Sequence, residues 1–138
     1  MNILITGTTS GIGLKLAQDY LSAGHTVHCC GRNKAILQDL VTAFGERAKP
    51  ISFDVQNRAA CLAFLSALPE LDLVILNAGT CEYIDASNFD AASFERVIRI
   101  NLIGLANCLE ALIPKLTAGS SLSPVSYTHL TLPTTMWV

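Results

Sequence analysis

The segment Thr6-Gly7-Thr8-Thr9-Ser10-Gly11-Ile12-Gly13 begins on the last residue of the apolar run Asn2-Ile3-Leu4-Ile5-Thr6 and opens directly into a helical pattern. A glycine-rich turn between a strand and a helix is a ready anion site. Backbone N–H groups point outward at a helix N-terminus, and the helix dipole favours negative charge there. Gly7 permits a tight turn that a Cβ would block. Gly11 lets the backbone approach phosphates, and Gly13 lets the helix pack closely on the strand behind it. Thr8, Thr9 and Ser10 add hydroxyl donors. The alternative is a merely tight strand-to-helix loop. The strand–turn–helix context favours a phosphate site.

The rest of the chain repeats this strand-and-helix unit. Gly11 to Ala23 has apolar residues at helical spacing (Ile12, Leu16, Tyr20 and Leu14, Ala17, Leu21), and Gly24 is a natural stop. Thr26–Cys30 is a second strand. Asn33 can cap a helix through about Phe44, which Gly45 can end. Ile51–Phe53 is a short third strand, and Asn57 can cap a third helix through about Leu68. Leu71–Leu76 is a fourth strand. After a loop from Thr80 to about Phe89, Asp90 can cap a long helix through about Leu116, with Pro114 distorting its last turn. Alternation of strand and helix at this spacing predicts an α/β fold with right-handed crossovers and a parallel sheet. Gly119-Ser120-Ser121-Leu122 would lead into a fifth strand.

Composition agrees with that class. Hydrophobic residues are 51% of the 138 and charged residues 14%, the balance of strands covered on both faces. The net charge is −2 with nine scattered Lys and Arg, which gives no nucleic-acid or anionic-membrane surface. No uninterrupted apolar stretch reaches the roughly 18 residues of a membrane span, and with no charged n-region before the first strand a signal peptide is not expected. The cytoplasm is the expected location. Cys29, Cys30, Cys61, Cys81 and Cys108 form no C-x-x-C pair and no Cys/His cluster with metal spacing. They are expected to be small hydrophobes in a reducing compartment, with no metal bound.

The glycine spacing G-x-x-x-G-x-G differs from the familiar G-x-G-x-x-G. It resembles the T-G-x-x-x-G-x-G motif of the short-chain dehydrogenase/reductase family. Asp54-Val55 after the third strand resembles that family's adenine-contacting pair. Asn77-Ala78-Gly79 after the fourth matches its N-A-G motif, and Asn101 in Arg99-Ile100-Asn101-Leu102 matches the Asn of its Asn-Ser-Tyr-Lys catalytic set. The resemblance covers residues 1 to about 122. It implies a Rossmann-type doubly wound parallel sheet, truncated after about the fourth strand and the following long helix. It also implies hydride transfer between a nicotinamide cofactor and a carbonyl or alcohol substrate, in an intact protein that is a homo-oligomer. The implied cofactor contacts are Gly7, Thr8, Thr9, Ser10, Gly11, Ile12, Gly13, Arg32, Asn33, Asp54, Val55, Asn77, Ala78 and Gly79. Asp54 would accept from the adenine amino group, unless it merely caps a turn. Asn77 would tie neighbouring strands together, and Asn101 would hold a water through its backbone.

At the end of the second strand, where an NAD binder carries an acidic residue for the ribose hydroxyls, this chain has Gly31 followed by Arg32. A guanidinium suits a 2′-phosphate, so NADP(H) is expected over NAD(H). The alternative is a solvated basic pair, Arg32 and Lys34, at a helix start. The family's catalytic Tyr-x-x-x-Lys is missing: Tyr20 is followed four residues later by Gly24, Tyr83 by Ser87 and Tyr127 by Thr131. No catalytic Ser, Tyr or Lys is assignable, and only Asn101 of that set is present. A non-catalytic dinucleotide-binding regulatory protein is therefore the alternative function. Residues 125–134 resemble the translation of a transposase-based sequencing adapter. The expected organisation is an incomplete dinucleotide-binding domain over 1–122 and a non-native tail over 123–138, without defined structure from about Pro124 unless Leu122 and Val125 borrow the vacant edge of the fourth strand.

Overall fold

The computed structural model describes residues 1–82 and 87–125. The elements are β1 (Asn2–Thr6), α1 (Gly11–Ser22), β2 (Thr26–Gly31), α2 (Lys34–Phe44), β3 (Ala48–Ser52), α3 (Arg58–Leu65), β4 (Leu73–Leu76), α4 (Ala91–Ile98), α5 (Gly104–Leu112) and β5 (Ser121–Pro124). All strand pairings are parallel, in the order β3-β2-β1-β4-β5. The chain lays β1, β2 and β3 outward in one direction, then crosses back to place β4 on the other side of β1. That reversal makes a switch point between β1 and β4 at the carboxyl ends of the strands.

Side-chain alternation along the strands divides the core in two. Ile3 and Ile5 of β1, Val27 and Cys29 of β2 and Ile75 of β4 pack with Ala17, Leu21, Leu37 and Leu40 of α1 and α2. Leu4, Cys30, Val74 and Leu76 face the other way, onto Cys61, Leu65, Cys108, Ala111 and Leu112 of α3 and α5. Helices therefore cover both faces, and the strands are apolar on both sides. Each fully buried aliphatic side chain contributes roughly 1.5–3 kcal/mol.

Three helix starts follow their caps. Asn33 accepts from the N–H groups of Ala35 and Ile36 at 3.1 and 3.3 Å, Asn57 from Ala60 at 3.0 Å, and Asp90 from Ala92 and Ser93 at 3.0 and 3.3 Å. Several boundaries move from the expected ones. β3 begins at Ala48, because an edge strand tolerates Lys49 and the donor-less Pro50. α3 stops at Leu65 and closes with a tighter turn, Leu68 N–H to the Leu65 carbonyl at 3.3 Å. The long helix is not uniform: a π-helical turn, Arg99–Ile103, separates α4 from α5, and a 3₁₀ turn, Ile113–Lys115, holds Pro114. By length and composition the helical run Ala91–Lys115 could cross a membrane, although its apolar residues are interrupted by charged and polar ones. Its buried residues Gly104, Asn107, Cys108, Ala111 and Leu112 instead mark it as a cover of the sheet.

The expected lack of structure from about Pro124 is corrected for Pro124 and Val125, and the edge pairing of Leu122 and Val125 is the form the structure shows. Ser123 and Pro124 lie in β5, opposite Ile75 and Leu76, and the Val125 N–H bonds the Leu76 carbonyl at 2.9 Å. The free edge of β4 is a template that any compatible backbone can join. The remaining residues of that tail, 126–138, lie outside the described residues.

Candidate dinucleotide site

A cleft of about 290 Å³ opens at the carboxyl ends of β1, β2 and β4. Its walls are the glycine turn, the Gly31-Arg32 end of β2, Phe53-Asp54-Val55, Ala78-Gly79-Thr80 and Ile100. The turn is anchored to β2 from beneath: Gly7 and Thr8 N–H both donate to the Cys30 carbonyl, at 2.9 and 3.0 Å. Gly7 has φ +76°, and a Cβ there would lie 2.9 Å from the Ala78 Cα. A Cβ on Gly13 would lie 2.2 Å from the Gly7 carbonyl oxygen, so Gly13 is a packing glycine as expected. Gly11, at φ +53°, faces open space.

Ser10 is the N-cap of α1, yet its side chain makes no capping bond, and the first turn of α1 holds no acidic residue. The N-terminus of α1 thus presents uncompensated N–H groups beside the cleft. α2, α3 and α4 have theirs satisfied. A cradle that a Cβ would fill and an uncapped helix start are what a pyrophosphate requires.

Not every expected contact is placed to touch a ligand. Thr8 is buried, and its hydroxyl donates to the Cys30 carbonyl at 3.2 Å, so it braces the turn instead of offering a donor. Ile12 points to solvent, 55% exposed, and does not line the cleft. The Asn33 side-chain oxygen is engaged in capping α2. Asp54 caps its own turn, accepting from the Gln56 N–H at 2.9 Å, while its other oxygen lies 3.9 Å from Arg32 Nη1 within the cleft wall. Asp54 therefore caps a turn at the wall of the cleft. Asn77 Nδ2 donates to the Thr6 carbonyl at 3.3 Å and the Thr6 hydroxyl accepts from the Ala78 N–H at 3.0 Å, which ties β4 to β1.

Asn101 lies in the π turn. Its amide pairs with both backbone groups of Thr80: Nδ2 donates to the carbonyl and Oδ1 accepts from the N–H, each at 2.8 Å. Its side chain therefore clamps the loop after β4 onto the helix. A π turn leaves a main-chain carbonyl of the helix without its usual partner, a frequent device at functional sites. The sequence offered no sign of it, nor of Ile100, Phe53 and Thr80 as cleft residues. Tyr20 lies near the far end of α1 against His25, ring centres 6.0 Å apart. Tyr83 and Tyr127 lie outside the described residues.

Burial pushes the Cys29 thiol up to about 12 and raises Cys30 well above its ordinary value, and Cys108 is raised by its hydrogen bond with Cys61 and by burial. These thiols behave as core groups, as expected; Cys81 is exposed. Among the described residues no group of acidic, His and Cys side chains could hold a metal ion.

Residues 1–123 match the sequence profile of the short chain dehydrogenases. The chain belongs to the short chain dehydrogenase family. Its relatives in that family include the rhamnolipids biosynthesis 3-oxoacyl-[acyl-carrier-protein] reductase of Pseudomonas aeruginosa, 30% identical over 125 residues. That alignment covers 86% of this chain and 48% of the reductase. The NADP-dependent 3-hydroxy acid dehydrogenase YdfG of Escherichia coli is 31% identical over 119 residues, covering 83% of this chain and 48% of that one. Among solved short chain dehydrogenase-like structures, the closed form of serine dehydrogenase complexed with NADP+ superposes with a TM-score of 0.78 at 31% identity, over 83% of this chain and 48% of that one. The chain spans about half the length of the curated relatives it matches.

Proposed function

We propose that the chain is the cofactor-binding part of an NADP(H)-dependent oxidoreductase that moves a hydride between the nicotinamide and a carbonyl or alcohol substrate. The observation that carries this is the uncapped N-terminus of α1, with its glycine cradle, opening on the same cleft as Arg32. The backbone of Gly7–Gly11 and the Ser10 hydroxyl bind the pyrophosphate. Arg32 meets the 2′-phosphate with a planar donor fork, Asp54 and Val55 border the adenine, and Ala78 and Gly79 pass beneath the ribose. Bound here, the nicotinamide supplies or accepts the hydride. Asn101 fixes the loop after β4 through Thr80 and contributes the π-turn backbone to water binding. The names of the YdfG relatives and of the serine dehydrogenase complex support the choice of NADP.

The test is titration of the chain with NADPH and NADH. NADPH should bind at least about tenfold more tightly, the size of one charge-assisted hydrogen bond. Arg32→Ala should erase the difference by weakening NADPH alone, and equal or tighter NADH binding by the unaltered chain would sink the reading. The sequence holds no Tyr-x-x-x-Lys, so NADPH should not be consumed with a panel of ketones and aldehydes. That same absence favours one second reading, a dinucleotide-binding regulatory protein without catalysis. A Tyr-x-x-x-Lys downstream of Leu122 at the genomic locus decides for the enzyme, and also tests whether residues 123–138 are foreign to it. The intact protein is proposed to act in the cytoplasm as a homo-oligomer on a small-molecule substrate, away from nucleic acid and membranes.

A further inference from the structure

Gly31 ends β2 in ordinary extended register, paired with Ser52 of β3, and its backbone is not in the left-handed region. Nothing in its conformation calls for glycine. The reason is space. A Cβ built on Gly31 would lie 2.4 Å from Thr9 Cγ2, 3.2 Å from Thr9 Oγ1 and 3.4 Å from Thr9 Cβ. Neither backbone can easily yield. The turn carrying Thr9 is held to the Cys30 carbonyl by Gly7 N–H, Thr8 N–H and the Thr8 hydroxyl, and the Gly31 carbonyl accepts from Phe53 N–H at 3.2 Å. Both residues also line the cleft, beside Arg32.

We propose that Thr9 is a positioning residue for cofactor choice: its branched side chain fills the place where a side chain on residue 31 would begin, so the turn itself excludes a carboxylate from the end of β2. This rests on the NADP(H) reading and deepens it. Preference for a 2′-phosphate is then held by two features, the cation at Arg32 and the occupied space above Gly31. Gly31→Asp alone should fail as a specificity switch, because the new side chain meets Thr9 before it can reach a ribose hydroxyl. Thr9→Ala removes Cγ2 and Oγ1, the two closest atoms, and keeps Cβ at 3.4 Å, an ordinary contact. Thr9→Ser removes the methyl but keeps an oxygen.

The experiment is a mutant cycle on the chain: unaltered, Thr9→Ala, Gly31→Asp and the pair. Each is read by thermal unfolding without ligand and by binding of 2′,5′-ADP and 5′-AMP, probes that need only the adenosine half of the site and differ only in the 2′-phosphate. Gly31→Asp alone should lower the unfolding midpoint by roughly 5–10 °C, the scale of an overpacked contact. The pair should recover most of that loss and shift the probe ratio towards 5′-AMP by about tenfold or more. Gly31→Ala, with and without Thr9→Ala, repeats the stability cycle with no new charge. Additive midpoints in the alanine cycle, or a single Gly31→Asp as stable and as switched as the pair, would overturn the interlock. If the unaltered chain shows no preference for 2′,5′-ADP, the NADP(H) reading fails, while the ligand-free alanine cycle still decides the interlock.

Discussion

Thr8, Thr9 and Ser10 are three consecutive hydroxyl residues with three different employments. The sequence could only group them as donors. Thr8 turns inward to Cys30, Thr9 fills the space over Gly31, and Ser10 alone stands free at the helix start. Thr8→Val should therefore cost stability and leave binding alone. The Cys30 carbonyl keeps two N–H donors, so the loss is that of one buried hydrogen bond, about 1 kcal/mol in urea unfolding, with NADPH affinity unchanged. Ser10→Ala should do the reverse, weakening NADPH about tenfold with no change in the urea midpoint. The motif's presence was legible from residue identity, but the direction each side chain faces depends on a partner more than twenty residues away in β2. His28 makes a second residue-scale case. It is buried, its Nε2 lies 3.0 Å from Asn2 Oδ1, and its pKa is lowered by burial and then by Lys49 on the neighbouring strand. The unfolded chain takes up a proton near the ordinary value of about 6.5 that the fold resists. This residue's stability is full above that pH and declines as pH falls towards the lower folded value. Urea unfolding at about pH 7.5 and about pH 5.5 should show the decline, reduced in His28→Gln, which keeps a donor for Asn2 but carries no titrating group.

At the level of elements, periodicity and caps located every helix and the first four strands, because apolar spacing and an Asn or Asp before the first turn are local signals. What they could not show depends on neighbours. β3 starts three residues early, since its position at the sheet edge, not its composition, makes Lys49 and Pro50 acceptable. The π turn at Arg99–Ile103 has no local signature. It coincides with the Asn101–Thr80 pairing that holds the loop after β4. The junction of turn and α1 allows a sharp test, because two glycines of one motif do different work. Gly13→Ala would push a Cβ to 2.2 Å from the Gly7 carbonyl oxygen and 2.4 Å from Asn77 Nδ2, where backbone blocks relief. It should cost about 3 kcal/mol or more, or prevent folding. Gly11→Ala meets no atom within 4 Å and bears only the strain of φ +53°, about 1–2 kcal/mol. It should fold, and it should bind NADPH more weakly because the new methyl stands at the open face of the turn. Circular dichroism and denaturant unfolding of the two variants distinguish these outcomes, and equal losses of stability would contradict the assignment of Gly13 to packing and Gly11 to approach.

For the molecule as a whole, the two cores are closed but the outer surface is not. Phe94, Ile98 and Leu102 lie four residues apart along α4 and the π turn, 40%, 37% and 57% exposed, and Phe89 adds a ring 6.1 Å from that of Phe94. Large apolar groups at this spacing form a stripe on one side of a helix, and a contiguous stripe of that kind normally has a partner surface. β5 adds a second open feature, as the last strand of the sheet order. Association driven by the stripe should be sensitive to charge and indifferent to the cofactor cleft. Ile98→Lys with Leu102→Lys places two cations on the stripe without touching a buried residue. In light scattering the unaltered chain should run as dimers or larger species, and the double variant should move towards the monomer with an unchanged circular dichroism spectrum. NADPH affinity should stay the same in both, because neither side chain lines the cleft. An unaltered chain that is already monomeric, or a double variant that associates just as strongly, would remove the stripe as the contact and leave the β5 edge to account for any association that remains.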